Sequence, residues 1–109
     1  MSETGRTVHE AVDVERMQQK ARPASTLLKA MGNERRLMIL FYLLQAERSV
    51  SELQGLIGIS QSALSQHLAR LRADNLVSTR RDAQSIYYSV SDAGVREIAL
   101  ALQRIFGLL

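Results

Sequence analysis

The sequence contains no cysteine and no tryptophan, and only one proline, two phenylalanines and three tyrosines. Without cysteine there is no disulfide framework, no thiolate metal site and no cysteine nucleophile. The two histidines, His9 and His67, stand far apart in the chain, so spacing offers no metal-ligand cluster. The longest apolar run, Leu37 to Leu44, is eight residues. A membrane-spanning helix needs about 20. The opening segment MSETGRTVHEAVDVE is polar and acidic and has no apolar signal core. These absences predict a cytoplasmic protein with no metal, no cofactor and no membrane contact. An enzyme is not expected either: there is no nucleophile–base pair, no Gly-rich phosphate loop and no cluster of carboxylates.

A further absence is local. No acidic residue occurs from Leu53 to Ala73. Within that span SQSALSQHLARLR, residues 60–72, places Leu64, Leu68 and Leu71 at helical spacing. The opposite face carries Ser62, Ser65, Gln66 and Ala69. A helix face turned to plain solvent ordinarily carries Glu and Lys, and this one has no charge before Arg70. The formal net charge is only +3, which permits an acidic partner without requiring one. Twelve of the fourteen basic residues are arginine, whose planar fork bonds phosphate and guanine bidentately.

A chain of 109 residues suits one domain, with residues 1–10 as a flexible N-terminus and 11–109 as the folded unit. A helical stripe runs Val14, Met17, Ala21, Ala24, Leu28, Met31. Pro23 interrupts it, and a proline inside a helix costs about 3 kcal/mol, so two helices are expected to meet near Arg22. Gly32 supplies a stop and Asn33 an N-cap for a helix over 34–46. LMILFYLL within it is apolar on nearly every face and reads as the central buried helix. SVSE, residues 49–52, is a capping box. The short helix it opens ends at Gly58, and Ser60 caps the next. Two short helices across a three- or four-residue turn containing Gly make a helix-turn-helix. After Asn75, LVSTR and SIYYSV alternate with period two around RDAQ, which predicts a β-hairpin. Ile86, Tyr88 and Val90 would share one face, and Ser85, Tyr87 and Ser89 the other. A last helix starts from Ser91 or Asp92 and carries the seam Val95, Ile98, Leu102, Ile105, Leu109, widened by Phe106.

This order predicts a mainly α fold with a β-hairpin: a dimeric winged helix-turn-helix of five or six helices. The second helix of such a motif lies in the DNA major groove, here 61–73. Gln and Ser on its uncharged face can bond base edges, and Ala69 and Ala73 admit close approach. Its free N-terminal amides favour phosphate. Arg80, Arg81 and Gln84 at the hairpin tip suit the backbone or the adjacent minor groove. Arg70, beside the outward face, suits phosphate. Arg72 lies nearer the core and is expected to pair with Asp74. His67 sits on the flank of the helix, for packing or a phosphate contact. Glu34, Arg35 and Arg36 open the central helix and read as ordinary surface or capping pairs; Arg35 or Arg36 could also touch DNA, but nothing in the sequence singles either out. Apolar seams over 14–31 and 95–109 predict a homodimer through Val14, Met17, Leu28, Val95, Ile98, Leu102, Ile105 and Phe106.

Across Leu28 to Val90 the chain resembles the ArsR/SmtB family of bacterial winged-helix repressors. LLKAMGNERRLMILFYLL and SVSELQGLIGISQSALSQHLARLRADNLVSTRRDAQSIYYSV carry the resemblance. It implies a homodimeric repressor whose recognition helices read a pseudo-palindromic operator. Gln61, Ser62, Ser65, Gln66 and His67 would lie at the bases, and Arg80 and Arg81 on the wing. Metal-sensing members of that family use cysteines in the central helices, or His and acidic ligands in the last helix. Redox-sensing members use a cysteine pair. This chain has neither set, so a small-molecule effector stays unassigned. The expected partners are double-stranded DNA and a second copy of the chain. The competing reading is a winged-helix protein-interaction module that uses the 95–109 seam for a different partner.

Overall fold

Eight consecutive apolar residues, Leu37 to Leu44, leave the second helix no polar face, and the fold is built around it. The computed structural model describes residues 11–109. Its elements, in order, are α1 Val14–Met31, α2 Glu34–Gln45, β1 Arg48–Ser49, α3 Val50–Ile57, α4 Gln61–Ala73, β2 Val77–Asp82, β3 Ser85–Val90 and α5 Ala93–Ile105. The five helices and an antiparallel sheet of order β1-β3-β2 form a winged helix. The expectation for residues 1–10 lies outside the described residues.

Each helix start follows from a side chain placed to accept an orphan amide. Asp13 accepts from the Arg16 amide and Asn33 from those of Arg35 and Arg36. Ser49 and Glu52 form the full capping box: the Ser49 amide donates to Glu52 Oε1 at 2.7 Å, and the Glu52 amide to Ser49 Oγ at 3.2 Å. Ser60 caps α4 through the Ala63 amide, and Asp92 caps α5 through the Gly94 amide. Gly58, at φ 78°, takes the left-handed conformation that lets the chain leave α3 and enter α4 within three residues.

Two features depart from the sequence reading. α1 is one continuous helix, with Pro23 inside it. The carbonyl that proline leaves without its amide partner belongs to Gln19, on a stretch exposed throughout, so it can turn toward water. The second departure is β1, two residues that pair Arg48 with Tyr88 and Ser49 with Tyr87 and extend the hairpin to three strands. A two-residue strand has no periodicity to read.

The core joins helices and sheet. Ile39, Leu40, Leu53, Leu64, Leu68, Leu71, Leu76 and Val95 are almost fully buried. Val95 therefore belongs to the interior of the protomer: its side chain is already spent against the core and is not available to a dimer seam. Among the described residues no helix is long and apolar enough to cross a membrane. Leu64→Ala is expected to cost about 2–5 kcal/mol, because it leaves a cavity under α4. Ser49→Ala removes half of the capping box and should cost about 1 kcal/mol. Urea unfolding checks both, as lower midpoints with an unchanged slope.

Candidate nucleic-acid interface

The burial of Leu64, Leu68 and Leu71 sets the rotation of α4. With that face inward, the remaining residues fall on a ridge and two flanks. The ridge, directly opposite the core, carries Ser62, Gln66, Ala69 and Ala73, all exposed. One flank carries Gln61, Ser65 and Arg72 and faces the hairpin. Gln61 and Ser65 line a groove with Gln84 and Ile86 of the hairpin tip, and Arg72 lines the neighbouring groove with Tyr88. The other flank carries Ala63 and His67, both half-buried, and the exposed Arg70. Gln61, Ser65 and Gln84 are thus brought together from three turns of sequence that are up to 23 positions apart.

The pairing at the end of α4 differs from expectation. Arg70 Nε donates to Asp74 Oδ2 at 3.0 Å, and Arg72 makes no ion pair among the described residues. Arg70, one turn before Asp74, lies on the same flank, whereas Arg72 points round to the wing side. The chain then turns sharply. Asn75 takes φ 62°, and the Leu76 amide donates to the Leu71 carbonyl at 2.9 Å. This Schellman-type end delivers Leu76 and Val77 directly into the core as β2 begins.

In the wing the two arginines separate. Arg81 pairs across the hairpin with Ile86, and Arg80 with Tyr87. Directly paired residues share a face. Arg81 therefore lies on the face of Ile86 and Tyr88, which looks toward α4, and it is exposed with no ion pair among the described residues. Arg80 lies on the other face. Its Nε and Nη2 both donate to the Glu47 carboxylate at 2.8 Å, and its guanidinium sits 4.7 Å from the Tyr87 ring centroid. The bond to Glu47, with help from its negative charge, raises the Arg80 pKa above the ordinary value. In the free protein Arg80 thus braces the wing, with Tyr87 beneath it and Glu47 beyond. Sequence reasoning missed Glu47 because it lies 33 positions from Arg80 and no local pattern links them. Ala83, at φ 58°, opens the two-residue hairpin turn as the first central residue of a type II′ turn would.

On the α2 side of the recognition helix stands a basic cluster that sequence reasoning left unassigned. Burial first, then the charges of Arg36 and Arg35, holds the His67 pKa below the ordinary histidine value. Burial and the neighbouring Arg70 lower that of Arg36, against a smaller opposing effect of Asp74. No group of three or more His, Asp or Glu side chains able to hold a metal occurs among the described residues.

The residues proposed for dimerisation divide by burial. Val14, Met17, Leu28, Ile105 and Phe106 are exposed, Phe106 to 72%. Ile98 and Leu102 are half-buried, and Ile98 packs against the protomer's own core.

An uncharged ridge on a helix flanked by basic side chains, beside a hairpin wing, defines a winged-helix DNA-binding regulator. Residues 33–79 match the family described as bacterial regulatory protein, arsR family. The nodulation protein NolR of Rhizobium meliloti is 56% identical over 84 residues, which cover 77% of this chain and 69% of NolR. The crystal structure of NolR from Sinorhizobium fredii superposes with a TM-score of 0.79 at 49% identity, covering 92% of this chain and 99% of that one. The transcriptional activator HlyU of Vibrio cholerae is 47% identical over 95 residues, 87% of this chain and 88% of HlyU. A more distant likeness, TM-score 0.74 at 27% identity over 92% of this chain and 91% of the other, is to the homodimeric winged helix-turn-helix DNA-binding domain of Mb0332 from Mycobacterium bovis. The chain belongs to the ArsR family of transcriptional regulators.

The two wing arginines should therefore respond differently to removal. Arg81→Ala is expected to lower affinity for any duplex and to reduce the salt slope by about one per protomer. Arg80→Ala should leave the slope close to wild type, since Glu47 already neutralises that charge. Binding to one duplex across a salt series distinguishes them.

Proposed function

We propose that the protein is a homodimeric repressor that occupies a pseudo-palindromic operator, acting in the cytoplasm where bacterial DNA lies. The observation that carries this reading is the ridge of α4. Ser62 and Gln66 stand exposed and uncharged between two flanks, one facing the wing with Arg81 and the other lined by Arg35 and Arg36, with Arg70 engaged by Asp74. Neutral donors and acceptors at the centre suit base edges, and cations at the sides suit the phosphates that wall the groove. Residues 11–109 would act as one DNA-binding and dimerisation unit. Gln61, Ser65 and Gln84, gathered in one groove, would meet the bases or backbone next to the ridge.

The dimer reading rests on apolar side chains that the protomer leaves uncovered. Val14, Met17 and Leu28 on α1 and Ile105, Phe106, Leu108 and Leu109 at the end of α5 are between 49% and 72% exposed. Monomeric surfaces scatter such residues singly, whereas these recur along α1 and gather at the end of α5, which suits an interface. The homodimeric state of the Mb0332 domain supports the dimer reading here. Repression would follow from occupation of the operator. HlyU carries the name of an activator, so the sense depends on where the operator lies relative to the promoter.

Selection of bound duplexes from a random pool is expected to return a symmetric consensus. Gln66→Ala should relax preference at one position in each half-site, a loss of about 1–3 kcal/mol of discrimination, with little change in salt slope. An asymmetric consensus, or a variant with the wild-type preference, overturns the assignment. Leu28→Asp and Phe106→Asp change exposed residues and spare the core. Each should give a folded monomer by sedimentation that has lost operator binding. A wild-type monomer at micromolar concentration would sink the dimer.

A further inference from the structure

Among the described residues, the side chains of Arg35 and Arg36 are held by carbonyls alone. Arg36 Nε donates to the Ala30 carbonyl at 2.6 Å and its Nη2 to the Lys29 carbonyl at 3.2 Å. Arg35 Nη1 reaches the Ile57 carbonyl at 3.4 Å. These acceptors lie in the last turns of α1 and α3. Two such bonds hold the Arg36 guanidinium, while the longer one only orients Arg35, and in both the charge is offset only by the partial charge of a helix end. Arg80 is the contrast within the same molecule, since it bonds a carboxylate through both Nε and Nη2.

His67 faces this pair from α4. The charges that act on it are those of Arg36 and Arg35 from α2. Arg70 and Asp74, at the end of α4, act on Arg36 and are bonded to each other. Among the described residues the cluster is therefore three arginines and a histidine against one acid, and that acid is already engaged by Arg70.

A helix in a major groove has a phosphate strand on each side. On the operator-binding reading above, the wing with Arg81 meets one wall. The flank of Ala63, His67 and Arg70 turns toward the other, where α2 begins. We propose that Arg35, Arg36 and His67 form a phosphate seat for the strand opposite the wing, in which Arg35 contacts the phosphate, Arg36 supplies fixed charge, and His67 takes up one proton from solvent as the phosphate binds.

The sign of the proton uptake follows from the charges. In the free protein, desolvation and two cations disfavour the imidazolium. A phosphate oxygen beside His67 brings negative charge and favours it. The histidine pKa is thus higher in the complex than in the free protein. Affinity should rise as pH falls through the bound-state value and level off below the free-state value. The change is at most tenfold per pH unit per protomer, since one proton is involved.

The test uses the full chain, a duplex of random sequence and a selected operator, with affinity measured across a salt series and a pH series spanning the ordinary histidine value of about 6.5. Calorimetry in two buffers of different ionisation enthalpy counts protons taken up. Arg35→Gln should weaken both duplexes alike and reduce the salt slope by about one per protomer. Arg35→Lys keeps the charge and should restore the slope. His67→Gln should flatten the pH dependence and abolish proton uptake while still binding DNA. Thermal melting of each variant shows that it is folded, and Arg35→Lys covers the case in which Arg35→Gln is not. A wild-type salt slope in Arg35→Gln, an Arg35→Lys as weak as Arg35→Gln, or proton uptake that survives in His67→Gln overturns the seat. If wild type binds duplex DNA and one of these occurs, the seat alone fails. If wild type shows no salt-dependent duplex binding, the operator reading fails first.

Discussion

The contact on which the rest depends is the packing of Leu64, Leu68 and Leu71 against Ile39, Leu40 and Leu53. Three leucines at helical spacing can be buried in only one rotation of α4. That rotation decides which polar residues form the ridge, which flank meets the hairpin and which meets α2. The interface is thus positioned by apolar atoms that never touch a ligand. The caps at Ser49 and Ser60 place the two helix starts, and the left-handed Gly58 sets the bend between them. None of the ridge residues is needed to hold the helix where it is.

Much of this could be read from the chain because the signals were local. A capping box needs four adjacent residues, a helix stripe a dozen, and a hairpin the alternation on either side of a turn. Asn33, Ser49, Glu52 and Ser60 act as their types and positions predict. What escaped is non-local or depends on surroundings. Pro23 is tolerated because it lies on an exposed stretch, where the carbonyl it leaves unpaired can turn toward water, and exposure is a property of the fold. Arg80 is diverted by Glu47 from the far side of β3. The choice of Arg70 over Arg72 as the partner of Asp74 turns on which flank each side chain occupies. Val95 looked like part of the α5 seam, because a seam read from spacing cannot say which of its residues face inward.

The arginines show how residue type underdetermines role. Arg80 meets a carboxylate and becomes a strut. Arg36 meets two carbonyls and ties the end of α1 to the start of α2 with its charge retained. Arg48 donates to the Tyr42 carbonyl and to Gln45 and secures the passage from α2 into β1. Arg81 has an open hairpin face. A net charge of +3 conceals this partition. The field near the interface depends on which cations are neutralised at short range more than on how many there are.

Only Asp74 and Asn75 separate the end of α4 from Leu76, and the Leu76 amide closes back onto Leu71. Leu76 and Val77 are themselves in the core. This splice has no slack. Recognition helix and wing are joined as a single rigid jaw, and neither can swing without dragging the other. In a dimer, a signal arriving from outside the jaw has only the relative placement of two such jaws to work on, their separation and their angle. Control of that kind tunes how well both half-sites can be gripped at once, and it leaves the sequence preferred by each half unchanged.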